Sequence, residues 1–92
     1  MEAIKTVNNG IHVISRFNYF VVAWNEVMGH TYRVVEVHPY NELTSQNFVE
    51  HDHYVQISKK VKEKFNAKTG FYNKKLAYVI GDYIFVIQKT GA

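Results

Sequence analysis

The 92-residue chain is 47% hydrophobic and 15% aromatic, which suits one small folded domain, 1–92, and excludes the apolar-poor composition of disordered proteins. The absence of cysteine excludes disulfides, thiolate-bound metals and a cysteine nucleophile, and it favours the cytoplasm because small secreted domains usually depend on disulfides. The formal net charge of +3 is compatible with an acidic protein or a nucleic acid as partner, and no apolar run approaches the roughly 20 residues that cross a membrane.

The part of the chain before its single proline, Pro39, has the pattern of β-strands. Strands are predicted at 4–7, 11–17, 19–27 and 31–38. Asn9-Gly10 predicts a hairpin between the first two, because both residues tolerate the positive φ that a type I′ turn needs. Gly29-His30 predicts a second tight turn. Pro39 ends the fourth strand because it cannot donate to a β-ladder.

The part after Pro39 combines one helix with one hairpin. Polar residues follow the proline, and Asp52 is a suitable N-cap for a helix that continues toward Gly70. The helix would turn a set of apolar residues at spacings of three and four toward the core: Tyr54, Ile57, Val61 and Phe65. A final hairpin is predicted to turn at Gly81-Asp82.

The predicted order is therefore β-β-β-β-α-β-β, an α+β fold. We expect a mostly antiparallel sheet of about six strands with one main helix packed on one face. Curling of the sheet into a half-barrel is an alternative way to cover its other face.

The segment EHDH, Glu50 to His53, has the residue types of a metal site or an acid–base site. On a strand, His51 and His53 would share a face, whereas on a helix their side chains would point in directions roughly 200° apart. With the helix starting near Asp52, capping is the favoured role for the aspartate, and no metal and no cofactor are predicted. A small metal-dependent hydrolase that uses His51, His53, His38 and Glu50 remains an alternative.

Lysines are densest in the predicted helix. Lys60, Lys64 and Lys68 recur at every fourth residue and would form one stripe that can neutralise phosphates. The other interpretation is an ordinary solvated helix face, since lysine is a good helix former. A nucleic-acid or nucleotide binder is therefore an alternative function.

Two strands are predicted to be apolar on both faces, YFVVAW at 19–24 and YIFVI at 83–87. In an antiparallel sheet with one solvent-exposed face, apolar and polar residues alternate along each strand. These two strands do not alternate, so both sides of the sheet must be covered, and one helix is too narrow to do this. If the chain does not close over itself, the bare face is a partner-binding surface. Its aromatic anchors would be Tyr19, Trp24, Tyr83 and Phe85.

A polar pair accompanies the fourth predicted strand. Glu36 and His38 would share a face with Tyr32 and Val34, and they could line a pocket there.

The sequence has no nucleophile elbow, phosphate-binding loop or dinucleotide fingerprint, so we do not expect an enzyme. By elimination, a protein-binding inhibitor or adaptor is expected, of the small kind that mobile elements such as phages encode. Its partner would be another protein with an acidic surface, or a second copy in a homodimer.

Overall fold

The computed structural model describes residues 2–53 and 55–90, with side chains described from residue 11 onward. The elements follow in the order α1 (Glu2–Met28), β1 (Tyr32–Pro39), α2 (Glu42–Ser45), β2 (Phe48–Glu50), α3 (Gln56–Phe65), β3 (Lys68–Tyr72), β4 (Lys75–Ile80) and β5 (Tyr83–Lys89). The α+β class with an antiparallel sheet and a packed helix is confirmed. Tyr54, predicted to face the core, lies outside the described residues.

The first three predicted strands are wrong, because 4–7, 11–17 and 19–27 all lie in the single helix α1. Its core-facing side chains recur at helical spacing, with Phe17 and Val21 buried and Trp24 packed beside them. Residues 19–24 form a continuous apolar run, which is compatible with a buried strand as well as with a helix, so periodicity alone did not separate the two. Asn9-Gly10 lies inside α1 and makes no hairpin.

The predicted turn at Gly29 is the C-terminal end of α1. Gly29 has a φ of +71°, and its N–H donates to the carbonyl of Asn25 at 2.9 Å. Glycine is preferred at this place because the left-handed conformation strains residues that carry a Cβ.

The sheet has five strands in the order β1-β5-β4-β3-β2, all neighbouring pairs are antiparallel, and it does not close into a barrel. The predicted hairpin at Gly81-Asp82 is present between β4 and β5. Strand β3 begins at Lys68, inside the segment that was predicted to be helical. Helix α3 ends before this point because Asn66 adopts the left-handed conformation with φ 52°. The five strands differ from the expected six because α1 replaces three strands and β2 and β3 add two.

The two faces of the sheet carry separate apolar clusters. Helices α1 and α3 pack on the first face. The buried side chains of this cluster are Phe17, Val21, Ile57, Val61, Ala67, Tyr78, Ile80, Phe85 and Ile87. The second face carries Tyr72, Ala77, Val79, Ile84 and Val86. Strand β5 contributes to both clusters, which confirms that its apolar residues point to both sides.

The second face is covered partly by the chain's own crossover. β1 and β2 occupy opposite edges of the sheet, so residues 40–47 must pass from one edge to the other. The N–H of Tyr40 donates to the carbonyl of Asp82 at 2.7 Å, and the carbonyl of Asn47 accepts from the N–H of Asn73 at 3.1 Å. These bonds fix the crossover at opposite ends of the sheet. Tyr40 and Phe48 pack on the apolar cluster beneath it.

Asn25 fastens the end of α1 to the edge strand β1. Its side-chain amide donates to the carbonyl of Tyr32 at 2.6 Å and accepts from the Tyr32 N–H at 3.0 Å. Tyr32 therefore has both backbone groups paired at a sheet edge where no neighbouring strand is present.

We expect Asn25→Ala to lower the free energy of unfolding by about 1–3 kcal/mol, because it leaves two half-buried backbone groups unpaired. Asn18→Ala is the matched control, since Asn18 is exposed on the same helix and its replacement by alanine gives the same increase in helix propensity. Urea denaturation of both variants measures the difference. Equal stabilities would show that the amide contributes nothing.

A buried hydroxyl pair joins α3 to the sheet. The Oγ of Ser58 lies 2.8 Å from the hydroxyl oxygen of Tyr78, and both side chains are fully buried. Burial raises the pKa of Tyr78 to about 12, and the Ser58 hydroxyl opposes this shift. Above a pH of about 10 an unfolded tyrosine loses its proton while the folded one keeps it, so stability then falls.

Wild-type protein should therefore lose stability between pH 10 and 12 more steeply than Tyr78→Phe, while the two slopes should match below about pH 10. Urea unfolding at a series of pH values measures both slopes. Tyr19→Phe is the control, because Tyr19 is exposed and its removal should leave the wild-type slope unchanged. Parallel curves for wild type and Tyr78→Phe above pH 10 would contradict the expectation.

Candidate partner-binding groove between two helices

Helices α1 and α3 lie beside each other on the first face of the sheet and leave a groove between them. The ring of Phe65 on α3 meets Phe17 at 5.7 Å and Phe20 at 5.4 Å, both edge to face. The groove has a volume of about 510 Å³ and is lined by His12, Ser15, Arg16, Tyr19, Phe20, Ala23, Lys64 and Phe65. Its floor is therefore aromatic, and both helices contribute to it.

Two cations lie over this floor. The guanidinium of Arg16 is 5.5 Å from the centroid of Phe65, and the ammonium of Lys64 is 5.7 Å from the centroid of Phe20. Such contacts hold a cation over a ring face by attraction to the ring quadrupole. Within residues 11–53 and 55–90, no carboxylate lies within 4 Å of either cation, and the residues that line the groove include no acid. The groove is thus a positively charged site with an apolar base.

The outer surface of α1 beside the groove exposes three apolar side chains. Tyr19 is 79% exposed, Ile11 58% and Val22 56%. Tyr19 also lines the groove, so it joins the apolar helix surface to the cationic site. We name these three residues and the groove together the helix surface.

The four predicted aromatic anchors do not form one surface. Tyr19 lies on the helix surface, whereas Trp24 packs against the core and has a buried Nε1 without a partner among the described residues. Tyr83 is half-buried at the edge of the core. Phe85 is 0% exposed and 4.6 Å from the ring of Phe17, so it cannot meet a partner in this conformation. The grouping fails because it assumed that residues 19–24 are a strand.

The predicted lysine stripe is also divided. Lys64 lies in the groove, and Lys60 pairs with Glu63 at 3.8 Å on the exposed side of α3. Lys68 belongs to β3, where its ammonium lies 5.8 Å from the ring of Tyr40, which packs on the second face. The end of α3 at Phe65 removes the last member from the helical repeat.

His51 and His53 lie on an extended segment that prolongs β2, not on a helix. Their rings are 5.4 Å apart and both contact Phe71, and the Nε2 of His53 is 3.1 Å from the carbonyl of Gly70. The other members of the proposed hydrolytic set are elsewhere. Glu50 shares its face with Gly70 on the second face of the sheet, and His38 is on β1 at the far edge.

Across the described part of the chain, no three His, Cys, Asp or Glu residues are placed to hold a metal ion. No helix in that part is long and apolar enough to cross a bilayer.

Glu36, His38 and Lys75 form a second polar cluster. Glu36 holds the ammonium of Lys75 at 2.6 Å through Oε2, and its Oε1 is 2.8 Å from the Nε2 of His38. Hydrogen bonds from Lys75 and His38 lower the pKa of Glu36 below its usual range. The predicted face was wrong for this pair. A register shift between Val34 and Glu36 turns Glu36 and His38 to the second face, away from Val34.

Six of the eight residues that line the groove were not predicted to bind a partner, among them His12, Arg16, Phe20 and Phe65. Arg16 and Phe20 are one helical turn apart, a signal that is lost when the segment is assigned to a strand. Phe65 was predicted to face the core, and its place in the groove depends on the position of α1.

Comparisons with protein-family models, with curated proteins and with solved structures found no match to this chain.

Asp52 does not cap α3, because the N-cap is Val55 and no side chain caps the helix there. Asp52 instead forms an exposed pair with Lys62 at 3.2 Å. We therefore expect Asp52→Ala to change the free energy of unfolding by less than about 1 kcal/mol, as is usual for a surface ion pair. Urea denaturation of this variant and of Lys62→Ala tests the expectation, and a loss near 2 kcal/mol in Asp52→Ala alone would indicate a cap after all.

Proposed function

We propose that this protein is a non-enzymatic binding protein, a small inhibitor or adaptor that docks an acidic protein on the helix surface. The observation that carries the proposal is the joint presence of two cations over an aromatic floor and an exposed apolar helix beside them. Aromatic residues and arginine are the side chains that most often dominate binding energy at protein interfaces.

The two parts of the helix surface have different tasks in this proposal. Arg16 and Lys64 attract carboxylates of the partner, which speeds association and makes its rate fall as salt is added. Tyr19, Ile11 and Val22 supply the apolar contact area that keeps the complex together. A volume of about 510 Å³ is large enough for one or two side chains of the partner to enter the groove.

A different protein suits the groove better than a second copy of this chain. In a symmetric dimer the same patch faces itself, so Arg16 and Lys64 of both copies would be brought together. Like charges placed opposite each other oppose binding. A nucleic acid would satisfy the cations, yet it offers little to Ile11 and Val22, which are apolar and exposed. We place the action in the cytoplasm, since the chain contains no cysteine and so no disulfide.

The proposal is tested by affinity capture from a native cell extract, with and without nuclease. Three baits are used: the wild-type protein, the double variant Arg16→Glu/Lys64→Glu, and the control variant Lys59→Glu. Lys59 is an exposed lysine of α3 that does not line the groove. We expect a protein that is retained after nuclease treatment, lost from the double variant and kept by the control.

Retention that disappears with nuclease would assign the surface to nucleic acid. Equal retention by all three baits would place the binding site elsewhere. Once a partner is purified, Tyr19→Ala should weaken its equilibrium binding by about tenfold or more, because an aromatic residue at the centre of an interface is a frequent hot spot. Circular dichroism of each variant verifies that the fold is retained.

A further inference from the structure

The crossover covers only part of the second face of the sheet. The crossover and the rings of Tyr40 and Phe48 lie over the end next to the β4–β5 turn and the β2 edge. Among residues 2–53 and 55–90, no residue of α1 or α3 packs in the cluster on this face, and the register shift at Val35 interrupts the edge strand. β-bulges of this kind are frequent next to binding sites because they redirect side chains.

An open-sided cavity of about 790 Å³ lies on the uncovered part of this face. Its lining residues are Tyr32, Arg33, Val35, Glu36, Lys75, Leu76, Val86, Ile87, Gln88 and Lys89. The volume is within the range of roughly 300–1,000 Å³ that small-molecule pockets occupy. On the second face the apolar side chains of the lining are Val35 at the register shift of β1 and Val86 of β5, because Leu76 and Ile87 pack in the cluster on the first face.

The charges around the cavity are unequal. Three cations line it, Arg33, Lys75 and Lys89, against the single carboxylate of Glu36. Glu36 is already engaged, since it binds Lys75 at 2.6 Å. Among residues 11–53 and 55–90, no carboxylate lies within 4 Å of Arg33. Its guanidinium is therefore available to bind an anion through paired hydrogen bonds.

The Lys75–Glu36 pair gives the cavity a fixed inner wall. Glu36 lies on β1 and Lys75 on β4, so their ion pair spans the intervening strand β5. Val86 on β5 is directly opposite Glu36 and is 1% exposed. The ion pair thus shields the apolar floor at this point. Lys89 is paired with Tyr32, which packs on the first face, so Arg33 is the cation on the second face that is left to bind a ligand.

We propose that this cavity binds a small organic anion, a carboxylate or phosphate group attached to an apolar body about the size of one aromatic ring. The anionic group pairs with Arg33, and the apolar body lies against Val35, beside Val86. The cavity is on the sheet, apart from the groove between α1 and α3, so this inference stands independently of the proposed function.

The test is a titration of the isotope-labelled protein followed by two-dimensional NMR. Benzoate is the probe, benzamide is its neutral counterpart, and acetate lacks the apolar body. We expect benzoate to shift the amide signals of Val35, Val86 and Gln88 in a saturable way, and benzamide and acetate to shift them little. Phenyl phosphate, titrated in parallel, distinguishes a preference for phosphate from one for carboxylate.

Arg33→Gln should weaken benzoate binding by about fivefold or more, because it removes a charge-assisted pair while keeping an exposed polar side chain. Lys74→Gln is the matched control, since Lys74 is an exposed cation outside the cavity, and it should bind as wild type does. No saturable shift at the three amides up to tens of millimolar benzoate or phenyl phosphate would overturn the inference. Equal weakening in both variants would also overturn it, because it would indicate diffuse attraction to a basic surface.

Discussion

Strand β5 places apolar side chains on both faces of the sheet, and much of the molecule is arranged to cover them. Phe85 and Ile87 point to one side, and Ile84 and Val86 to the other, and all four are buried. A chain of 92 residues has few residues with which to form a covering layer on each face of the sheet. Helices α1 and α3 cover the first face, and the crossover between the two edge strands covers part of the second.

Both candidate binding surfaces arise where this cover is incomplete. Two helices on one sheet face meet along a groove, and the rings that fill the space between them, Phe20 and Phe65, also form the base on which Arg16 and Lys64 lie. On the second face the crossover starts at the end of β1 and runs toward β2, so it leaves the bulge in β1 uncovered. There an ion pair across β5 replaces a covering layer and leaves a cavity beside Arg33.

The position of α1 decides which side chains are available to a partner. Helical spacing turns Phe17 and Val21 into the core and leaves Tyr19, Ile11 and Val22 outside. Asn25 then fixes the end of the helix to the backbone of Tyr32, so that the end of α1 is held against the start of β1. The helix surface therefore depends on a contact between elements that are joined by only a short turn.

The sequence by itself determined the α+β class, the strand that ends at Pro39, the hairpin at Gly81-Asp82 and the inward side of α3, because each has a local signal that competing structures do not share. It did not determine α1, since the apolar run at residues 19–24 fits both strand and helix periods, and only packing on the sheet selects the helix. The register shift in β1 and the crossover were likewise decided by tertiary structure. Each depends on contacts between residues that are distant in the chain, and such contacts leave no periodic pattern in the sequence.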